Sequence, residues 1–325
     1  MLLIEATING TLHRLSMEGI ALTNYWDHQI VGFDPLSNQL SNLYGGYVRP
    51  GIGGISFNHA LFAANDWPPP VNMTIAAYYT STTEAAKELL FSGIGHLANI
   101  TRESIKYELY GLSYLTTIAD ATAFDDTLDN IVDWFCNAAR LNLTVDHTYE
   151  RVVSPPVKFT SSGLQYAINL LSDICAFNSH LFYISGSTLY LIDMLLDAGS
   201  QTITEFDFFP SEYDYQVPVA IASTTNYART SVYPYGSILA LATEFEDTEA
   251  DINTALDNII TIMNRAAVRL KMPLLGSMPT PGKKISWTDT SLNLDLAAWI
   301  RARSIIYDFQ NEEVIIEGEG ALAAG

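Results

Sequence analysis

Two short phrases two hundred residues apart constrain this chain most: SIKYEL at Ser104–Leu109 and SIIYDF at Ser304–Phe309. In the first, Ile105, Tyr107 and Leu109 fall on one side of an extended chain and Ser104, Lys106 and Glu108 on the other, the period of two that marks a half-buried strand. In the second, Ile305, Tyr307 and Phe309 alternate with Ser304, Ile306 and Asp308. A similar lead precedes each, Ile100-Thr-Arg-Glu and Ile300-Arg-Ala-Arg. Sheets select Ile, Tyr and Phe wherever they form. The alternative is that the phrases mark corresponding strands of a doubled domain.

The order of patterns along the chain adds weight to doubling. A length of 325 residues fits two or three domains, each with its own core. Residues 1–112 read mainly as strands and loops. TINGTLHRLSM and HQIVGFD are candidate strands, and Tyr44–Ser56 (YGGYVRPGIGGIS) is a glycine-rich loop. WPPP at Trp67–Pro70 is a breaker, after which Val71, Met73 and Ile75 alternate. LLFSGIGHLANITRESIKYELYGL sets two extended runs around the polar Asn99–Glu103, as in a hairpin or meander.

From 113 to 200, helix and strand alternate. Asp125, Asp126 and Thr127 are helix-start residues before Leu128, Ile131, Val132, Phe135, Ala138 and Ala139, which recur at helical spacing. A strand is expected at Leu141–Val145, and SPPV at Ser154–Val157 reads as a linker. A second helical stripe follows, Leu164, Ala167, Ile168, Leu171, Ile174 and Cys175, and then the strands HLFYI and TLYLIDM about a turn at Ser185-Gly186-Ser187. Residues 201–325 return to aromatic-rich strands with one long helix, about 248–271. Thr248 and Asp251 are spaced like a capping box, and Arg265, Arg269 and Lys271 lie where cations suit a helix end. The expected fold is a β-rich α+β chain, with β domains of barrel or sandwich type at 1–112 and 201–325. An α/β insertion of two small helix–strand units at 113–200 lies between them.

Chemistry-bearing motifs are sparse. Six histidines, at 13, 28, 59, 96, 147 and 180, show no metal-ligand spacing, and no GxSxG elbow occurs. GIGG at Gly51–Gly54 lacks the lysine and helix of a phosphate loop and reads as an ordinary loop. The acidic run Glu244–Asp251 lacks the ligand alternation of a calcium loop, and the cluster Asp125, Asp126, Asp129 and Asp133 has sufficient cause in a helix macrodipole. Carboxylate pairs for a glycosidase are too numerous to single one out. Cys136 and Cys175 read as buried free thiols. No catalytic, cofactor-binding or metal-binding residue is assigned, and no cofactor is expected.

Charge bounds the partners. Sixteen Lys and Arg against 36 Asp and Glu leave a net charge of −20, which repels nucleic acid phosphates and argues against sequence reading. The same repulsion suits a passage through which DNA slides without sticking. The start, MLLIEATINGTLHRL, has no signal-peptide pattern, and no run reaches the roughly 18 apolar residues of a membrane span. Stable membrane insertion is therefore not expected. Eighteen tyrosines and fourteen phenylalanines supply apolar contact surface suited to assembly.

Three stretches carry a family resemblance: LLFSGIGHLANITRESIKYELYGLSYLTTI; the pair TLDNIVDWFCNAARLNLTVD and TSSGLQYAINLLSDICAFNSHLFYISGSTLYLID; and the closing PTPG, RARSIIYDF and VIIEGEG. Over most of residues 75–320 the chain resembles the tail-hub proteins of tailed bacteriophages, a group that includes baseplate hubs and type VI secretion spike proteins. The resemblance implies two tail-tube-like β domains per chain and a homotrimer whose ring has pseudo-sixfold symmetry. It implies a structural hub, not an enzyme, resident in the virion tail tip and made in the host cytoplasm. Expected partners are the tail tube or distal tail protein, tip, spike or fibre proteins and the tape-measure protein, with genome DNA only in transit. A departure is that the long helix of the second β region has no visible counterpart around residues 36 to 65. Two other readings are a virion-associated cell-wall hydrolase and a receptor- or carbohydrate-binding tail protein.

Overall fold

The computed structural model describes residues 2–16, 29–42, 45–49, 53–63, 68–80, 86–111, 117–118, 122–147, 154–161, 165–196, 200–202, 212–214, 218–233, 235–241, 245–273, 282, 284–289, 296–309 and 311–321. The protein is a β-rich α+β chain with four helices among these residues.

The first β region runs β1 (Leu2–Ile8), β2 (Thr11–Ser16), β3 (Ile30–Phe33), β4 (Leu36–Asn42), β5 (Gly45–Arg49), β6 (Gly54–Asn58), α1 (His59–Ala63), β7 (Asn72–Tyr79), β8 (Glu88–Ile100) and β9 (Ser104–Gly111). TINGTLHRLSM is two strands, because Asn9 and Gly10 take φ of 51° and 81° and turn the chain as a two-residue hairpin. Seven strands form one curled antiparallel sheet in the order β2-β1-β7-β8-β9-β6-β3.

The middle region runs β10 (Thr117–Ile118), β11 (Ala123–Thr127), α2 (Leu128–Cys136), β12 (Thr144–Asp146), β13 (Pro156–Thr160), β14 (Gln165–Tyr166), α3 (Ala167–Phe177), β15 (His180–Ser185) and β16 (Thr188–Asp193). Thr127 caps α2 as the sequence suggests, but Asp125 and Asp126 belong to β11, and Ala138 and Ala139 lie beyond the helix end. The expected strand at Leu141–Val145 begins only at Thr144, after a turn in which Leu141 and Leu143 N–H groups return to the Phe135 and Cys136 carbonyls. Half of the supposed linker SPPV is strand, because Pro156 and Val157 pair with Thr127 and Asp126.

The last region runs β17 (Ser200–Thr202), β18 (Glu212–Asp214), β19 (Val219–Ser223), β20 (Ala228–Thr230), β21 (Ser237–Ala240), α4 (Glu249–Met263), β22 (Ala266–Pro273), β23 (Lys284–Asp289), β24 (Leu296–Asp308) and β25 (Glu313–Ala321). The long helix stops at Met263 rather than near 271, because Asn264 caps it and residues 266–273 pair along β25. The large sheet has the order β12-β16-β15-β5-β4-β24-β25-β22-β18, with β23 beside β24 and β17 beside β23.

Two sets of five strands share one topology. In space the first reads β3-β6-β9-β8-β7 and the second β18-β22-β25-β24-β23, and every neighbouring pair in both is antiparallel. The chain enters the strands of each set in the same order. Each set is also interrupted between its first and second strands, by β4–β5 in one and by β19–β21 with α4 in the other. No helix longer than the five-residue α1 occupies the corresponding part of the first set among the described residues.

The repeated phrases are not corresponding strands. SIKYEL lies on β9, whereas SIIYDF lies on β24, the counterpart of β8. Their likeness has another cause. Ile105, Tyr107, Leu109, Ile305 and Tyr307 are all buried in one cluster that also takes Ile4, Ile75 and Phe91 from the first sheet and Leu270, Val314 and Ile316 from the second. Phe309 packs against it, edge-on to Phe33 at 5.4 Å. Both phrases line the same core, so both need the same alternation of bulk.

Candidate assembly surface

The hairpin β4–β5 joins the parts of the molecule. β4 pairs with β24, placing Gln39 opposite Ser304, while β5 runs parallel to β15, placing Tyr47 opposite Phe182. The glycine-rich stretch read as a loop is therefore largely two strands, β5 and β6. Glycine is needed here for closeness. A Cβ on Gly45 would meet the His180 carbonyl oxygen at 2.6 Å, and one on Gly46 (φ 95°) would meet the Ser41 and Ser172 hydroxyl oxygens at 2.6 Å each. Into that narrow space the Tyr47 N–H donates to both hydroxyls at 3.0 Å, and the two hydroxyls bond each other at 2.6 Å. The Tyr47 ring stacks on Phe182 at 5.1 Å. Helix α3 is thereby fixed to a strand that continues the second sheet.

Three arginines fasten the same joint. Arg301 on β24 is 1% exposed and donates to the Asp193 carbonyl at 3.0 Å and the Leu196 carbonyl at 2.6 Å. Arg265, just past α4, donates to the Met194 carbonyl at 3.0 Å, and Arg303 reaches the Ile262 carbonyl at 3.4 Å. A guanidinium cannot shed its charge, so its burial is tolerable only where carbonyls or anions receive its protons. The end of β16 and the C-terminus of α4 provide those carbonyls. Arg269 and Lys271 have a different task from the helix-end role expected of them. They pair with Glu317 at 3.3 Å and Glu313 at 2.6 Å across β22 and β25.

Helix α4 carries the small sheet β20-β19-β21. Leu256, Ile259 and Ile260 pack with Val219, Ala222 and Leu241. Asn264 clamps the helix end to β19, accepting from the Val219 N–H at 2.6 Å and donating to its carbonyl at 3.1 Å. Arg229 holds β20 to the helix through both Asp257 oxygens at 2.8 and 2.7 Å. At the other end Thr248 caps α4, its hydroxyl accepting from the Asp251 N–H.

The acidic clusters have structural employment. His147 sits between Asp133, 2.8 Å from its Nε2, and Asp129, 3.4 Å from its Nδ1, which ties the end of β12 to α2. Asp247 accepts from the Lys158 N–H at the junction of β13 with the approach to α4. Burial, together with the charges of Asp251 and Asp125, pushes its carboxyl up to about 6 against the pull of Lys158. Cys136 is buried, and burial beside Asp133 pushes its thiol up to about 12, so it is inert as a nucleophile. Cys175 is buried in the same cluster. Among the described residues no group of three or more His, Cys, Asp or Glu side chains is placed to hold a metal ion. No helix there is long and apolar enough to cross a membrane. His28, Gly51, Ile52, Trp67, Leu164 and Glu244 lie outside the described residues.

The outward faces are polar and cross-linked. Glu5 on β1 pairs with Lys87 at 2.8 Å and Arg14 at 3.4 Å, and Lys106 on β9 pairs with Asp34 at 2.8 Å. Among the described residues, exposed large apolar side chains such as Leu12, Val31, Val71 and Ile100 are scattered, but four cluster in sequence on β21 and the connection before it: Val232 (87%), Tyr233 (44%), Tyr235 (93%) and Ile238 (70%). Neither the arginine joint nor this patch was singled out from sequence. The one available signal for the joint was that Arg301 and Arg303, read at period two, share the phase of the core residues Ile305 and Tyr307.

No protein-family model and no curated protein matches the sequence. Solved structures do match, over nearly the whole chain. The tail protein of Neisseria meningitidis MC58 aligns with a TM-score of 0.61 at 8% identity, covering 98% of this chain and 96% of that one. The 43 kDa tail protein of prophage MuSo2 from Shewanella oneidensis aligns with a TM-score of 0.58 at 10% identity, covering 98% and 97%. The E. coli c3393 protein, a type VI secretion component described as structurally similar to the T4 tail proteins gp27 and gp5, gives 0.55 at 12% identity, covering 91% and 76%. The chain has the phage tail-protein fold over nearly its whole length.

Proposed function

We propose that this chain is a structural hub of a phage tail tip or baseplate, three copies of which form a ring joining the tail tube to the tip or spike. The observation that carries this reading is the repeated five-strand topology, β3-β6-β9-β8-β7 and β18-β22-β25-β24-β23. On this reading the two sets are tail-tube-like domains descended from one doubled unit. A chain with two equivalent edges and faces lets three subunits present six similar positions, and a heterologous ring closes only where such surfaces match. The fold shared with phage tail proteins supports the same assignment. The net charge of −20 suits a bore that DNA traverses without adhering. The hub has no catalysis of its own; it resides in the virion and meets tube, tip and tape-measure proteins there.

Negative-stain images combined with the particle mass of purified protein test the proposal. A threefold annulus of trimer mass is expected. A lone compact monomer across the usable concentration range overturns it, as does cell-wall clearing in a zymogram that one carboxylate substitution abolishes.

A further inference from the structure

Strand β21 differs from the other sheet edges. An open edge strand is a template for a foreign strand, and proteins normally blunt it with charge, proline, a bulge or very short length. The other edges here obey that rule. β2 carries His13 and Arg14; β3 is bulged between Ile30 and Gly32 and followed by Pro35; β11 carries Asp125 and Asp126, and β13 carries Pro156 and Lys158; β12, β18 and β20 have three residues each and carry Asp146, Glu212 with Asp214, and Arg229; the uncharged β10, β14 and β17 have only two or three residues. β21, Ser-Ile-Leu-Ala, has no charge, no proline and an unbroken run of residues, the bulge of its pairing lying on β19. Among the described residues it pairs only with β19.

The alternation of its N–H groups defines the free side. Ser237 and Leu241 donate inward, to the Pro218 and Ser223 carbonyls at 2.8 and 2.7 Å. By the period of two, Ile238 and Ala240 present their N–H groups to the open edge. The strand is held close to its neighbour, since a Cβ on Gly236 would lie 2.3 Å from the Pro218 carbonyl oxygen. Ile238 on this strand, and Val232 and Tyr235 on the connection that leads to it from β20, are the most exposed large apolar side chains among the described residues.

Charge and size select the occupant. Residues 218–241 contain one charged side chain, Arg229, and Asp257 neutralises it, in a chain whose net charge is −20. A neutral strip on an acidic protein neither attracts a basic partner nor repels a neutral one. The exposed parts of Val232, Tyr233, Tyr235 and Ile238 amount to roughly 500 Å², below the about 800 Å² per partner of a stable globular interface. That is enough for a strand with two or three anchoring side chains.

We propose that β21 is a docking edge to which an extended, uncharged segment of a different protein adds as a fourth strand, anchored by Ile238 on the strand and Tyr235 just before it. The test probes the full chain with an immobilised library of uncharged heptapeptides, having Val, Ile or Tyr at alternate positions and Ser, Thr or Asn between. Ala240→Pro removes an outward N–H and leaves the inward bonds intact, a substitution edge strands tolerate. Leu12→Ser controls for adhesion through an exposed apolar residue elsewhere. Capture by the parent chain is expected, reduced at least about tenfold by Ala240→Pro and unchanged by Leu12→Ser, with thermal unfolding confirming that both variants fold. Four results overturn the proposal: no peptide is captured; Ala240→Pro captures as well as the parent; Ala240→Pro dissolves self-association, which assigns the edge to a second copy; or glycans are retained through Tyr235 with Ala240→Pro indifferent.

Discussion

At the scale of single residues, the molecule places its most costly groups where they fasten parts together. Arg301 donates to the Asp193 and Leu196 carbonyls with almost no exposure to water. Arg301→Ala removes two charge-assisted hydrogen bonds, leaving the Asp193 carbonyl with only the Leu196 N–H at 3.2 Å, and empties a buried volume, so about 3 kcal/mol of stability should be lost, measurable by urea unfolding. Asp247 is the opposite case. Its folded-state value, pushed up to about 6 chiefly by burial, lies above that of an unfolded aspartate, so the native state binds a proton more readily. Stability from this group therefore falls as pH rises from about 4 to 6. Asp247→Asn should stabilise the fold at pH 7.5 by on the order of 1 kcal/mol, seen as a higher melting temperature, once solvent screening at this partly exposed carboxyl is allowed for. The gap should close near pH 4. Melting curves at the two pH values check both signs.

At the scale of elements, capping and periodicity were legible and cross-chain pairing was not. Thr127 and Thr248 start their helices because each hydroxyl accepts an N–H that the first turn leaves open. The end of α4 lies earlier than its pattern suggests, because Ala267 and Leu270 continue the helical spacing of Ile259, Ile260 and Met263. Pairing with Gly320, Glu319 and Ile316 decides for strand, and no local pattern announces a partner fifty residues away. The hairpin β4–β5 is the same lesson in a glycine-rich stretch: its glycines mark close approach to Ser41, Ser172 and His180, not looseness. Gly46→Ala should cost about 1–3 kcal/mol by overpacking. Adding Ser172→Ala should recover part of that loss, because one of the two obstructing hydroxyls is then gone while α3 keeps a good helix former. Chemical denaturation of the single and double variants reads the difference.

At the scale of the whole molecule, two sheets of different sequence share one core. Ile105 and Ile305 lie two hundred residues apart and in the same cluster. Ile105→Ala and Ile305→Ala should each cost about 2–5 kcal/mol and should shift one common unfolding transition. Two separable transitions in calorimetry would divide the sheets into independent units. The sequence by itself determined the β-rich character, the caps of α2 and α4, the hairpin of β8 with β9, and the inward phase of β7, β9 and the end of β24, because alternation and capping are properties of a few adjacent residues. Only the tertiary structure decided which strands correspond, since equivalence resides in neighbour order, which no six-residue phrase records. It also decided that a glycine-rich stretch is a bridge and that the buried Arg301, with Arg265 and Arg303 beside it, closes the joint, because both depend on backbone carbonyls and hydroxyls brought together from distant parts of the chain.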